Sequence, residues 1–153
     1  MENKRKVKDI VLSSGADLLL PFVLVYMCYI ILHGHLSPGG GFQGGVLFVA
    51  ALLLINFGHG YKATAQAVSM NLLHKGEGAA STVYVALAMM GAAVGAQFCQ
   101  NILYTHGRIG DLYSAGTIFW MNVTVGVKVL TGIGSITLLL LSLVAERQGG
   151  DTK

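Results

Sequence analysis

A chain of 153 residues is long enough for one domain and little more. Hydrophobic residues make up 54% and charged residues 11%, where an average soluble domain carries roughly 25% charge. So few charges cannot cover a water-facing surface, and disorder is excluded as well, because it needs low hydrophobicity with high net charge. The class that remains is an all-α polytopic membrane protein, with the lipid bilayer as its solvent and residues 1–153 as one integral membrane domain. The formal net charge of +3 is not gathered into a basic cluster interleaved with aromatics, so no nucleic-acid partner is expected. The charges stand at the ends of apolar runs and read as topology signals.

Four apolar runs approach the roughly 20 residues that a helix needs to cross a bilayer core. They are residues 11–32, 45–58, 82–104 and 117–144. The N-terminal basic stretch precedes an apolar run longer than a signal-peptide core and containing Asp17, so the first run is expected to stay as a membrane helix. Lys4, Arg5, Lys6 and Lys8 precede it. Lys62 and Lys75 lie in the connection at 60–81, Arg108 in that at 105–116, and Arg147 and Lys153 in the C-terminal tail. Grouping alternate segments places all of these except Arg108 on one side, which the positive-inside rule makes cytoplasmic, together with both termini of a multi-pass cell-membrane protein. Within the connection at 61–81, Tyr61, Thr64, Ala65, Val68, Leu72 and Leu73 recur at helical spacing. A short interfacial helix and an ordinary polar connection both fit.

A glycine-rich loop joins the first and second runs. Within His33-Gly-His35-Leu-Ser-Pro38-Gly39-Gly40-Gly41-Phe-Gln43-Gly44-Gly45, residues 39–44 formally match GxGxxG. A dinucleotide site needs a strand before that motif, a soluble helix after it and an acid about 20 residues on; none of these is present, and the nucleotide reading fails. Pro38 fixes one dihedral angle, and the glycines permit positive φ and close approach of backbones. Two readings stay open: a tight turn whose glycines let helices pack, or backbone carbonyls lining a hydrated path. His33 and His35 lack the further ligands and thiolate or carboxylate cluster of a metal site, and hydrogen-bonding interfacial histidines are the expectation; no metal or other cofactor is expected.

Ionisable residues inside spans are costly and are functional candidates by default. Lys128 lies near the middle of the fourth run, and Thr124, Thr131 and Ser135 share its helix face. Asp17 lies in the first run, one turn before Pro21, which frees a backbone carbonyl near residue 17. The two charges differ in depth by roughly 13 Å at the helical rise, so direct pairing is not expected. No Glu falls within the four expected spans, so Lys128 calls for a carboxylate on a neighbouring chain, unless it snorkels or pairs locally. Gly91-Ala-Ala-Val-Gly95 is a GxxxG and is expected to mark a close helix–helix contact, with a partner in this chain or in another. Cys28 and Cys99 form no CxxC, and two small buried hydrophobes are the better reading. No Ser/His/Asp set or pair of catalytic carboxylates can be assembled, so the chain is not expected to be an enzyme by itself.

The run LHGHLSPGGGFQGGVLFVAALLL at residues 32–54 closely resembles the B subunit of Mrp-type multisubunit Na+/H+ antiporters. The same domain recurs in the membrane arms of energy-converting membrane-bound hydrogenases. Residues 116–134, with Asn122, Gly126, Lys128 and Gly132, are similar to the family's last span. The resemblance implies a small subunit, non-catalytic alone, that assembles with other antiporter-module membrane subunits or with hydrogenase-type redox subunits. It assigns no role to individual residues. The ion-path candidates Lys128, Asp17, Thr124 and Thr131 follow from burial cost, and a purely structural adaptor is the competing reading.

Overall fold

A computed structural model describes residues 2–104, 111 and 113–150. Five helices make up the described chain: α1 Glu2–His33, α2 Gly40–His59, α3 Tyr61–Ala67, α4 Met70–Ala93 and α5 Thr117–Gly150. Three of them are long and apolar enough to cross a membrane, over Ile10–His33, Gly40–His59 and Thr117–Arg147. The protein is thus an all-α, multi-pass membrane protein, with α4 as a fourth long helix of more mixed composition. His106 and Arg108 lie outside the described residues.

The contacts fix the topology. Gly34 lies against Gly40, Ile31 against Gly44 and Ala16 against Gly58, so α1 and α2 run antiparallel. Gly41 meets Asn122, Gly45 meets Val129 and Gly134 meets Phe48, so α2 and α5 run parallel. Ser81 meets Lys128 while Gly76 meets Thr131, so α4 runs antiparallel to α5. The chain therefore places the start of α1 and the end of α5 at one end of the bundle, with α3. The 34–39 turn, the end of α4 and the start of α5 lie at the other end. Leu52 of α2, Leu73 of α4 and Leu138 of α5 are 1%, 2% and 4% exposed and form the apolar core near the terminal end.

Large apolar side chains cover the outside. Val11, Leu18, Phe22, Val25 and Tyr29 of α1 are all more than half exposed, as suits a helix facing lipid or a partner subunit. Close packing is confined to the seams, where glycine replaces side chains. A Cβ on Gly40 would overlap the backbone of Gly34, one on Gly41 the carbonyl of Asn122, and one on Gly45 would stand 2.7 Å from Cβ of Val129. The glycine run is accordingly not all loop. Gly39, at φ +83°, caps α2, and Gly40 to Gly45 form its first turns, so the second apolar helix begins five residues before the expected span at 45.

The third apolar run, at 82–104, does not coincide with one helix. Ser69 caps a helix by accepting from the Leu72 amide at 3.3 Å, and α4 starts at Met70. It ends at Ala93, where the Ala96 amide donates to Gly91 O at 2.9 Å and Gly95 takes φ +79°, a left-handed stop. Cys99 follows at φ +61°. Apolar composition continued the run beyond residue 93; backbone geometry did not. Between 61 and 81 the chain forms the short helix α3, then breaks at Val68, which is extended at φ −139°. Thr64 is fully buried there and donates to Gly60 O at 3.2 Å.

Candidate functional site

Asn122 ties three helices together. Its Oδ1 accepts from the Gly41 amide at 2.8 Å, and its Nδ2 donates to Ile31 O at 2.8 Å. Both partners belong to helix ends: Gly41 lies in the first turn of α2 and Ile31 in the last turn of α1, where backbone groups have no intrahelical partner. The amide offers one acceptor and one donor where each is missing. Asn122 was not among the residues that the sequence singled out for a site. The available signal was its position, a polar amide near the start of an apolar helix.

Around this clasp the histidines are separately held. His33 Nδ1 pairs with Tyr29 O at 3.1 Å, and its ring stacks on Tyr29 at 4.3 Å. His35 Nε2 lies 3.3 Å from Ser114 Oγ, and the ring packs edge-on against Phe119 at 5.1 Å. Pro38 is exposed in the turn. Gln43 folds back over Gly39, whose Cβ position lies 3.0 Å from the Gln43 amide nitrogen.

The second polar cluster lies between α4 and α5. Lys128 Nζ donates to Ser81 Oγ at 2.7 Å, and Ser81 in turn donates to Glu77 O at 2.9 Å. Thr124, Thr131 and Ser135 are all buried, and their hydroxyls donate to carbonyls of α5 itself: Thr124 to Trp120 O at 2.7 Å, Thr131 to Val127 O at 2.8 Å, Ser135 to Gly132 O at 2.8 Å. Each satisfies its proton locally and keeps lone pairs free. Lys128 lies in the wall of two cavities. One, of about 320 Å³, is also lined by Ser81, Tyr84 and Thr124; the other, of about 340 Å³, by Phe42, Glu77, Gly132 and Ser135.

Here the structure corrects two expectations and narrows a third. Glu77 is not in a loop: α4 carries it against α5, so a carboxylate of this same chain borders the cavity that Lys128 borders. The error came from the polar stretch His74 to Gly78, which lowers hydropathy although it is helical. Gly91 and Gly95 do not form a helix seam within the chain. A Cβ on Gly91 would meet Gln97 O of the chain's own returning turn, and Gly95 has open space around it. Within this chain the pair ends a helix, which leaves a neighbouring chain as the partner of the expected contact. Cys28 and Cys99, read as small buried hydrophobes, are both exposed in the chain.

Asp17 belongs to a third cluster, at the terminal end of the bundle. Its Oδ1 lies 3.4 Å from His59 Nε2, and Ser13 Oγ lies 3.3 Å from the same nitrogen. The carboxylate and imidazole are 62% and 40% exposed in the chain. Pro21 leaves the Asp17 carbonyl without its helical donor, while α1 continues through it.

The family described as a domain related to the MnhB subunit of Na+/H+ antiporters matches residues 11–135. The chain belongs to this MnhB family. That stretch contains the Asp17–His59 pair, the glycine-packed turn, the Asn122 clasp and the Lys128 seam. Among similar proteins, an uncharacterised protein of Methanocaldococcus jannaschii is 32% identical over 72% of this chain and 44% of its own length. The B subunit of the Na+/H+ antiporter of Bacillus subtilis is 28% identical over 47% of this chain and 50% of its own. The chain thus spans about half the length of these two relatives. A Staphylococcus saprophyticus protein provisionally named antiporter subunit mnhB2 is 28% identical over 93% of this chain and 99% of its own. Among solved structures, a chain of the membrane-bound sulfane sulfur reductase, an archaeal respiratory membrane complex, has a TM-score of 0.70 and 36% identity, covering 86% of this chain and 57% of that one. An MnhB fold is therefore found in an antiporter subunit and in a respiratory membrane complex alike.

Proposed function

We propose that the chain is a small membrane subunit of a multisubunit Na+/H+ antiporter module, contributing to its assembly and lining part of its hydrated ion route. The observation that carries this is the MnhB match over residues 11–135. By itself the subunit catalyses nothing. Its contribution to the route is the α4–α5 seam, where Lys128 and Ser81 border a cavity and the hydroxyls of Thr124 and Thr131 retain free lone pairs. Asp17, exposed beside His59, is the polar group at the terminal end of the same bundle. Both termini face the cytoplasm. The Lys and Arg distribution supports this, as does the position of both terminal segments at one end of the bundle. The helices α1, α2, α4 and α5 make the four crossings.

A second setting is favoured by one observation, the 36% identity and TM-score of 0.70 with a respiratory membrane complex. In that setting the same module is driven by redox chemistry in other subunits, and the role of this chain is unchanged. Extraction of the tagged chain in mild detergent, with mass spectrometry of what co-purifies, separates the settings. Antiporter-type membrane subunits alone indicate a secondary antiporter; redox subunits with them indicate a respiratory pump. A chain that purifies alone and exchanges cations for protons refutes the subunit reading. If the complex forms but transport is indifferent to Lys128→Met, the chain is a structural adaptor.

A further inference from the structure

Gly132 lies midway between Thr117 and Arg147, the ends of the apolar stretch of α5. The Glu77 carboxylate stands at that level: the Cβ position of Gly132 is 3.4 Å from Oε1 and 3.6 Å from Cδ. A Cβ at 132 would stand at ordinary contact distance from the carboxylate, so the glycine keeps the space beside it open. Gly76 does the same for the helix contact, since a Cβ there would lie 2.8 Å from Cγ2 of Thr131. Each glycine in a helix interior costs roughly 0.5–1 kcal/mol relative to alanine. Placing them at this level brings α4 against α5 with a half-buried carboxylate between them.

A static ion pair is the ordinary use of such a residue, and the geometry departs from it. Lys128 gives its Nζ to Ser81 Oγ at 2.7 Å, one turn along α4 from Glu77. Among the described residues no ion pair joins Lys128 to Glu77, although both border one cavity of about 340 Å³. They are the two titratable groups lining that cavity; α2 contributes Phe42 to it, and on α4 the neighbouring His74 and Lys75 are exposed. The distance between the two stations is about one helical turn, roughly 5.4 Å, which a flexible four-carbon lysine stem can travel.

We infer that Glu77 is an intramembrane carboxylate that binds a proton or a small monovalent cation in exchange for one another, with Lys128 as its movable countercharge. With the carboxylate empty, Lys128 swings to it and the seam is neutral. With a proton or a cation on Glu77, Lys128 returns to Ser81 and the seam carries one positive charge. Both ligands leave the same net charge, so they compete for one site. A lone carboxylate at this depth would be costly, and the alternation never leaves it uncompensated, while the ammonium of the loaded state is held by the Ser81 hydroxyl. The identity of the cation rests on the antiporter reading above; the existence of the site does not.

The test uses the complex purified in mild detergent. Dicyclohexylcarbodiimide reacts with protonated carboxyl groups in apolar surroundings, and mass spectrometry of the peptide containing Glu77 reads the adduct. The adduct is expected on Glu77, forming faster as pH falls and several-fold more slowly in sodium chloride than in choline chloride. Lys128→Gln is expected to speed it, because the countercharge that favours the ionised carboxyl is gone. No adduct on Glu77, or equal rates in sodium and choline, overturns the inference. Glu77→Gln complexes that assemble normally are expected to lose cation–proton exchange; exchange at the wild-type rate overturns the inference while leaving the antiporter reading intact. Sodium-protected labelling in a complex without exchange upholds the site and refutes that reading instead.

Discussion

Replacing Asn122 by Ala removes one side chain and strands two backbone groups. The Gly41 amide and the Ile31 carbonyl each lose a partner at 2.8 Å, and neither has an intrahelical alternative. Interhelical hydrogen bonds in membrane proteins average about 0.6 kcal/mol and reach about 1.7. A buried group left unsatisfied costs about 1–3 kcal/mol. At the membrane hydrogen-bond values the two lost bonds give about 1–3 kcal/mol, the low end applying if water enters the vacated space. At roughly 2–4 °C per kcal/mol for a chain of this size, the thermal midpoint should fall by about 2–12 °C. The assay is the fraction of tagged chain that stays monodisperse within the detergent-solubilised complex after heating. Asn122→Asp sharpens it: the acceptor for Gly41 survives, but a carboxylate oxygen now faces Ile31 O, so this variant should be no more stable than the alanine one. Unchanged midpoints for both would refute the claim that Asn122 joins α1, α2 and α5.

Other substitutions sort the glycines by what surrounds them. Gly40→Ala drives a methyl into the Gly34 backbone and should lower stability by about 3 kcal/mol or abolish assembly, whereas Gly44→Ala meets mainly the Ile31 side chain, with Ile31 N 3.3 Å away, and should be milder, both read as complex recovered from the membrane. Gly78→Ala, with open space around it in α4, should leave recovery unchanged or raise the midpoint by the equivalent of about 0.5–1 kcal/mol. Gly95→Ala strains a left-handed residue and should lower the midpoint by the equivalent of about 1 kcal/mol. Asp17→Asn should change thermal stability by less than about 1 kcal/mol, since its partner His59 and the carboxylate itself are exposed.

Composition and charge spacing were sufficient to read a helical membrane protein, because the free energy of lipid burial acts on long stretches and tolerates local error. The same averaging hid the start of α4. Gly76, Glu77 and Gly78 depress hydropathy, yet they lie in a helix because Ser69 caps it and Leu73 anchors it in the core at 2% exposure. Ser69 ahead of Leu72 and Leu73 was a readable N-cap signal that the polar stretch outweighed. At the other end, Phe98 and the residues after it kept the pattern apolar, while the left-handed Gly95 ended the helix. Pairings between distant segments were the least legible. Nothing in the chain order places Glu77 beside Gly132 or Asn122 between Ile31 and Gly41. Such partners are chosen by helix register, to which hydropathy is blind.

The most direct measurement is sodium-dependent proton exchange in everted membrane vesicles carrying the complex with Lys128→Met, with subunit stoichiometry checked on the same vesicles. The account predicts normal stoichiometry and a large loss of exchange. Wild-type exchange in a normally assembled Lys128→Met complex would contradict it and leave the chain as an adaptor.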